Sequence, residues 1–170
     1  GLKIGENRML KNLTFIIKLY HDFIRTNDEN IPACDSLKLN SLFESVSDSM
    51  IPLLQMFERL SEKQISFKLG LVLPPLLCSM LEDEKVQSLY IEFLDKRIAL
   101  GKKELNRYKD NQQALELIRS TVERNKELKK KFTDDYEKNL IKQFALWQKK
   151  GFIEILGTCA TDIFMPYYAD

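Results

Sequence analysis

The sequence predicts an α/β protein with a parallel sheet, and three observations carry that prediction. Short apolar runs rich in β-branched and aromatic residues alternate with stretches of helical period. One of the runs is apolar on both faces along its second half, the pattern of a strand covered by helices on either side. The order strand, helix, strand, long helical stretch, strand is that of α/β organisation, for which right-handed crossovers are expected.

The first run is LTFIIKLY, Leu13 to Tyr20. Its length and branching favour a buried strand over a helix, which periodicity alone does not separate. DENIPACDS follows with turn formers, and Pro32 blocks a helix through it. In LFESVSDSMIPLLQMFERL, the residues Leu42, Val46, Met50, Leu53, Phe57 and Leu60 recur at spacings of three and four, one face of a helix. Asn40 or Ser41 is the expected cap, and Pro52 should kink the helix about one turn before it. ISFKLGLVL, Ile65 to Leu73, is the second expected strand, ended by Pro74 and Pro75, with Pro75 placed to open the helix PLLCSMLED.

From about residue 83 to 150 the pattern is helical nearly throughout. Val86, Leu89, Phe93 and Leu94 mark one helix, broken near Asp110 and Asn111; Leu117, Ile118, Val122 and Leu128 mark a second. Thr133, with Asp134 and Asp135 behind it, is the expected cap of a third, striped by Tyr136, Leu140, Phe144 and Trp147 and stopped by Gly151 at C′. FIEIL is the third strand. The expected organisation is a single domain or fragment over 1–170, with a helical insertion at about 83–150.

Composition narrows function. The chain has 170 residues, 44% hydrophobic and 30% charged, with formal net charge +1. That is ordinary for a soluble protein and argues against a nucleic-acid binder, which carries a basic face. No apolar run is long enough to cross a bilayer and no secretory signal pattern opens the chain. Cys34, Cys78 and Cys159 are odd in number and scattered, and His21 is the single histidine, so neither a metal site nor any other cofactor is expected. Small core thiols in a reducing cytosol fit the cysteines best. Lys126, Lys129, Lys130 and Lys131 could touch phosphate, but beside Glu127, Asp134, Asp135 and Glu137 they read better as a solvated helix end. The six glycines are isolated and build no phosphate loop, and no G-x-S-x-G elbow is present.

Three stretches carry a closer likeness. LFESVSDSMIPLLQMFERL is similar to the helix after the first strand of family 57 glycoside hydrolases, especially the 1,4-α-glucan branching-enzyme group, where the pattern runs L-F-E-A, then I-P-L-L-x-x-F-E-R-L. FKLGLVLPPLLCSML resembles their second strand and its Pro–Leu–Leu exit, and GFIEILGTCATDIFMPYY resembles a strand ending in C-A-T-H-G-F-L-P. Their order and spacing fit as well, so the resemblance covers the chain from about Phe15 onward.

The resemblance implies part of a distorted (β/α)₇ barrel acting on α-glucans with retention, one carboxylate attacking and a second serving as acid and base, roughly 5 Å apart. In this family both come from strands later than the A-T-H strand, so they are expected beyond Asp170, and the 170-residue chain alone is expected to be inactive. The family's first strand ends in H-A-H-L-P, whose histidines contact the sugar at the cleavage point. Here, aligned on Arg25, Lys18 and Tyr20 stand at those histidines and Asp22 at the proline, while a one-residue slip places His21 at the second. At the third strand Asp162 replaces the histidine and Ile163 the glycine. The implied substrate-binding residues are His21, Thr161 and Asp162; the plainer alternatives are a half-buried histidine near a strand exit and a cap or turn aspartate. Glu44 and Glu58 match letters of the family's helix and read as surface or capping charges. The implied partner is an α-glucan or oligosaccharide, with possible self-association or contact with the rest of the barrel. A non-catalytic carbohydrate-binding or regulatory module derived from the fold is the alternative, and a helical interaction domain with a chance likeness is the remaining one.

Overall fold

The computed structural model describes residues 15–19 and 33–156. Three strands, β1 (Phe15–Lys18), β2 (Leu69–Val72) and β3 (Ile153–Leu156), form a parallel sheet in the order β1-β2-β3. The register sets Phe15 beside Leu69 and Leu69 beside Ile153, so Lys18, Val72 and Leu156 end the three strands in line. The second strand is shorter than the alternation of Ile65–Leu73 suggests. Ile65 is 46% exposed and pairing starts only at Leu69, where the chain meets both neighbours.

Between β1 and β2 lie α1 (Ala33–Ser45), a π turn at Val46–Met50, and α2 (Ile51–Glu62). The helix therefore begins seven residues before Asn40, and Cys34, Asp35 and Ser36 are helical, not part of a turn. Pro32 bars a helix running through it but not one starting directly behind it. The irregularity expected before Pro52 takes the form of the π turn: Ile51 N–H reaches back to the Val46 carbonyl, five residues away, just before the proline that has no N–H.

After β2 come α3 (Pro75–Glu82), opened by Pro75, then α4 (Glu84–Arg107) and α5 (Gln112–Lys130), an antiparallel hairpin. Asp83 caps α4 by accepting from Lys85 and Val86 N–H, and Asn111 caps α5 by accepting from Ala114 N–H. A second π turn, Lys131–Asp135, follows. Thr133 lies inside it and caps nothing; its Oγ1 donates to the Lys129 carbonyl at 3.0 Å. The last helix, α6 (Leu140–Lys149), is capped instead by Asn139, after Glu137 and Lys138 take positive φ. Tyr136 is buried beside this helix without belonging to it. At its end Gly151 adopts φ +80°, and the N–H groups of Gly151 and Phe152 close back on the carbonyls of Gln148 and Trp147. That is a Schellman motif, which turns the chain into β3.

The core lies between the sheet and the helices. Leu69, Leu71 and Ile153 are buried with Leu54, Phe57, Leu77, Phe144 and Trp147. Phe57, Phe67, Phe152 and Trp147 make a chain of ring contacts at 4.8–5.8 Å under the amino ends of β2 and β3. A second aromatic group, Phe43, Tyr90, Phe93 and Phe132, joins α1 to α4 and the second π turn. Leu117, expected on the buried stripe of α5, is 69% exposed; Leu115, Val122 and Leu128 make that stripe.

Candidate functional site at the carboxyl ends of the strands

Ligands of α/β sheets sit outside the carboxyl ends of the strands. Here those ends are Lys18, Val72 and Leu156, and Leu19 N–H extends the line by donating to the Val72 carbonyl at 3.0 Å. Side chains alternate across each strand. The face with Leu69, Leu71 and Ile153 is buried against the helices. The opposite face carries two rows, Ile16–Gly70–Glu154 and Lys18–Val72–Leu156.

That second face also borders a hollow of about 480 Å³ that opens toward the amino ends of β2 and β3, lined among others by Ile16, Lys68, Gly70, Phe152, Glu154 and Leu156. Gly70 forms its floor. A Cβ there would stand 3.0 Å from Leu156 Cδ1 and 3.3 Å from Ile16 Cγ1, so the side chains of both flanking strands fold over the glycine. Ile16 is 62% exposed. Glu154 is exposed as well, and puts a carboxylate, an acceptor of hydroxyl hydrogen bonds, against the hollow.

The sequence-derived site residues His21, Thr161 and Asp162 lie outside the described residues, as do Tyr20, Asp22 and Ile163. His21 follows the last residue of β1 by three positions; Thr161 and Asp162 follow the last residue of β3 by five and six. The strands leading to them end level with one another on either side of β2. Lys18, noted as standing at a family histidine, closes β1 on the open face and is exposed. Glu154 was not singled out in the sequence, although a lone carboxylate between Ile153 and Ile155 in a strand is a signal that one face is not buried.

Two charged groups prove to be structural. Glu58 is not a simple surface charge: it accepts from Tyr136 Oη at 2.9 Å and pairs with Lys131 Nζ at 3.0 Å, which also reaches Asp135 at 2.9 Å. Burial, then the bond to Glu58, pushes the Tyr136 hydroxyl up, so it stays a donor. The lysine run is tied down in the same way, with Lys129 on both Asp95 oxygens at 2.7 Å and Lys126 on Glu123 at 2.6 Å. Among the described residues no cluster of histidine, cysteine or carboxylate side chains could hold a metal ion, and no helix is long and apolar enough to cross a membrane.

Three relatives are similar to this chain. The 1,4-alpha-glucan branching enzyme TK1436 of Thermococcus kodakarensis is 24% identical over 125 residues, 74% of this chain and 18% of that enzyme. The alpha-amylase AmyC of Thermotoga maritima superposes with a TM-score of 0.77 at 25% identity, over 91% of this chain and 29% of that one. The GH57-type branching enzyme of Pyrococcus horikoshii superposes with a TM-score of 0.72 at 23% identity, over 84% and 26%. The chain thus spans less than a third of the length of each relative. Its parallel strands and their helices form part of the (β/α)₇ barrel of these enzymes. The model of glycosyl hydrolase family 57 matches residues 14–170. The chain belongs to glycosyl hydrolase family 57.

Proposed function

We propose that this chain supplies one wall of an α-glucan site in a family 57 glycoside hydrolase or 1,4-α-glucan branching enzyme. The observation that carries the reading is the level alignment of three parallel strand ends, Lys18, Val72 and Leu156, on a sheet whose open face bears Glu154. A sugar site needs a concave surface with converging polar groups. His21, Thr161 and Asp162 follow the two outer strands and are the proposed hydroxyl partners, with Glu154 added from the open face. Turnover by retention takes a nucleophilic carboxylate and an acid–base carboxylate on either side of the scissile bond, roughly 5 Å apart. We assign that pair to strands other than β1–β3, so residues 1–170 position sugar and do not cleave it. The helices from about 83 to 150 are then an insertion between the second and third strands, and the setting is the cytosol, where the half-buried Cys78 thiol, pushed up mainly by burial, stays reduced.

The departures at the family's histidine positions, Lys18, Tyr20 and Asp162, favour a second reading, a carbohydrate-binding module of the same fold without turnover. Both readings share the ligand. Affinity electrophoresis tests it: amylose in the gel should retard the chain weakly, and cellulose derivatives should not. Equal mobility in both gels would remove the α-glucan reading. Release of reducing ends from amylose by the 170-residue chain, above a buffer control, would overturn the assignment of catalysis elsewhere.

A further inference from the structure

We infer that the outer face of the α4–α5 hairpin is a self-association surface, on which a second copy of this chain lays its own α4 antiparallel across the first. The surface is a hollow of about 300 Å³ between the two helices. Leu100 stands on one rim, 60% exposed, and Leu117 on the other, 69% exposed, two large apolar side chains that the chain's own core does not use. Between them the helices approach closely at Gly101, where a Cβ would come within 2.4 Å of Val122 Cγ2. The close approach sinks the floor and leaves the leucines as rims.

The charges at the two ends of the hollow choose the partner. Arg97 lines one end and Glu104 the other, seven residues apart and therefore two turns along one face of α4. A two-fold axis passing between Leu100 and Gly101 brings Arg97 opposite Glu104 of the second copy, and the reverse pair forms at the same time. The same operation sets Leu100 of each copy over Gly101 of the other, at the middle of its hollow. Such an isologous contact is closed, so it stops at two chains. Arg97 is held with its guanidinium 5.3 Å from the Phe93 ring, and Glu104 reaches Arg107 only at 3.7 Å. Exposed ion pairs of this kind add little energy, but they fix register. Helices of 24 and 19 residues span about 36 and 28 Å. That is long enough for a hairpin-on-hairpin contact to approach the roughly 800 Å² per partner of a standard interface.

Sedimentation equilibrium on the 170-residue chain tests the proposal. The expected result is a mass approaching twice the 19.9 kDa of one chain as concentration rises. Leu100→Glu, at an exposed position where the fold tolerates it, should raise the dissociation constant at least about tenfold with unchanged circular dichroism. Arg97→Glu alone should weaken association, and adding Glu104→Arg in the same chain should restore it. Ile16→Lys, on the open face of the sheet, should leave the dissociation constant of the two copies unchanged. A monomer at every concentration overturns the proposal. So does a dimer indifferent to Leu100→Glu, one the charge exchange does not restore, or one lost with Ile16→Lys instead, which would place the contact at the sheet.

Discussion

The sheet and the α4–α5 hairpin solve the same problem in opposite ways. Each strand is four residues long and has no stability of its own; it satisfies its backbone only through its neighbours, and among the described residues β1 and β3 each pair on one side alone. The hairpin's helices satisfy their backbones internally, carry side-chain caps at both starts, and are cross-linked by Lys129 and Asp95 at 2.7 Å. The hairpin is also fastened to the π turn ahead of α2, by the 2.9 Å bond between Ser47 and Tyr90 and by Arg124 on Asp48. The lesson is that the region bearing the candidate site borrows its order from the helices beneath it. The region with the most local structure packs chiefly on α1, α3 and the second π turn.

The largest expected effect therefore lies under the sheet. Phe57 is fully buried and touches Phe67 and Trp147 at ring separations of 5.3 and 5.8 Å. Phe57→Ala should cost about 3–5 kcal/mol in urea unfolding, and the amides of β2 should lose exchange protection before those of α4. If α4 opened first, the dependence of the sheet on this layer would be refuted.

A smaller effect sharpens the other half of the comparison. Burial pushes the Tyr90 hydroxyl from 10.0 up to about 12, against the bond to Ser47, which acts the other way. The folded state thus holds the proton more tightly than the unfolded chain. This contribution to stability is complete below pH 10 and is lost as pH rises through about 12. Tyr136 is raised in the same direction, so the whole chain should weaken in alkali. Tyr90→Phe leaves Ser47 Oγ without its buried partner and should cost about 1 kcal/mol near neutrality. Its loss of stability above pH 10 should be shallower than that of the unchanged chain, read from thermal melts across the range. Parallel curves would mean that Tyr90 ionises as freely when folded as when unfolded.

Much of this architecture was legible in the residues. The three strands, the break before Pro52, the opening of α3 at Pro75 and the Gly151 stop follow from local steric rules that tertiary context had no reason to overrule. The failures have equally local causes. Thr133 with two aspartates has the look of a cap, but inside a π turn its hydroxyl bonds back to Lys129, and the helix starts instead at Asn139, behind Glu137 and Lys138 at φ 51° and 62°. Nothing in their side chains announces a left-handed turn. Leu117 fits the helical period of α5 but falls on the rim of a hollow, because α5 buries Leu115, Val122 and Leu128, with Val122 close against Gly101 of α4. Of the candidate site, His21, Thr161 and Asp162 lie outside the described residues, and Glu154 became visible only once register showed which face of β3 is open.

The central claim is that α-glucan meets this chain at the carboxyl ends of its strands. The direct measurement is a titration of the isotope-labelled chain with a maltooligosaccharide, following backbone amide shifts. The account predicts fast-exchange shifts gathered at Lys18–Leu19, Val72–Leu73, Glu154–Leu156 and at His21, Thr161 and Asp162, with α4 and α5 silent. Shifts centred on the hairpin, or none at saturating sugar, would contradict it.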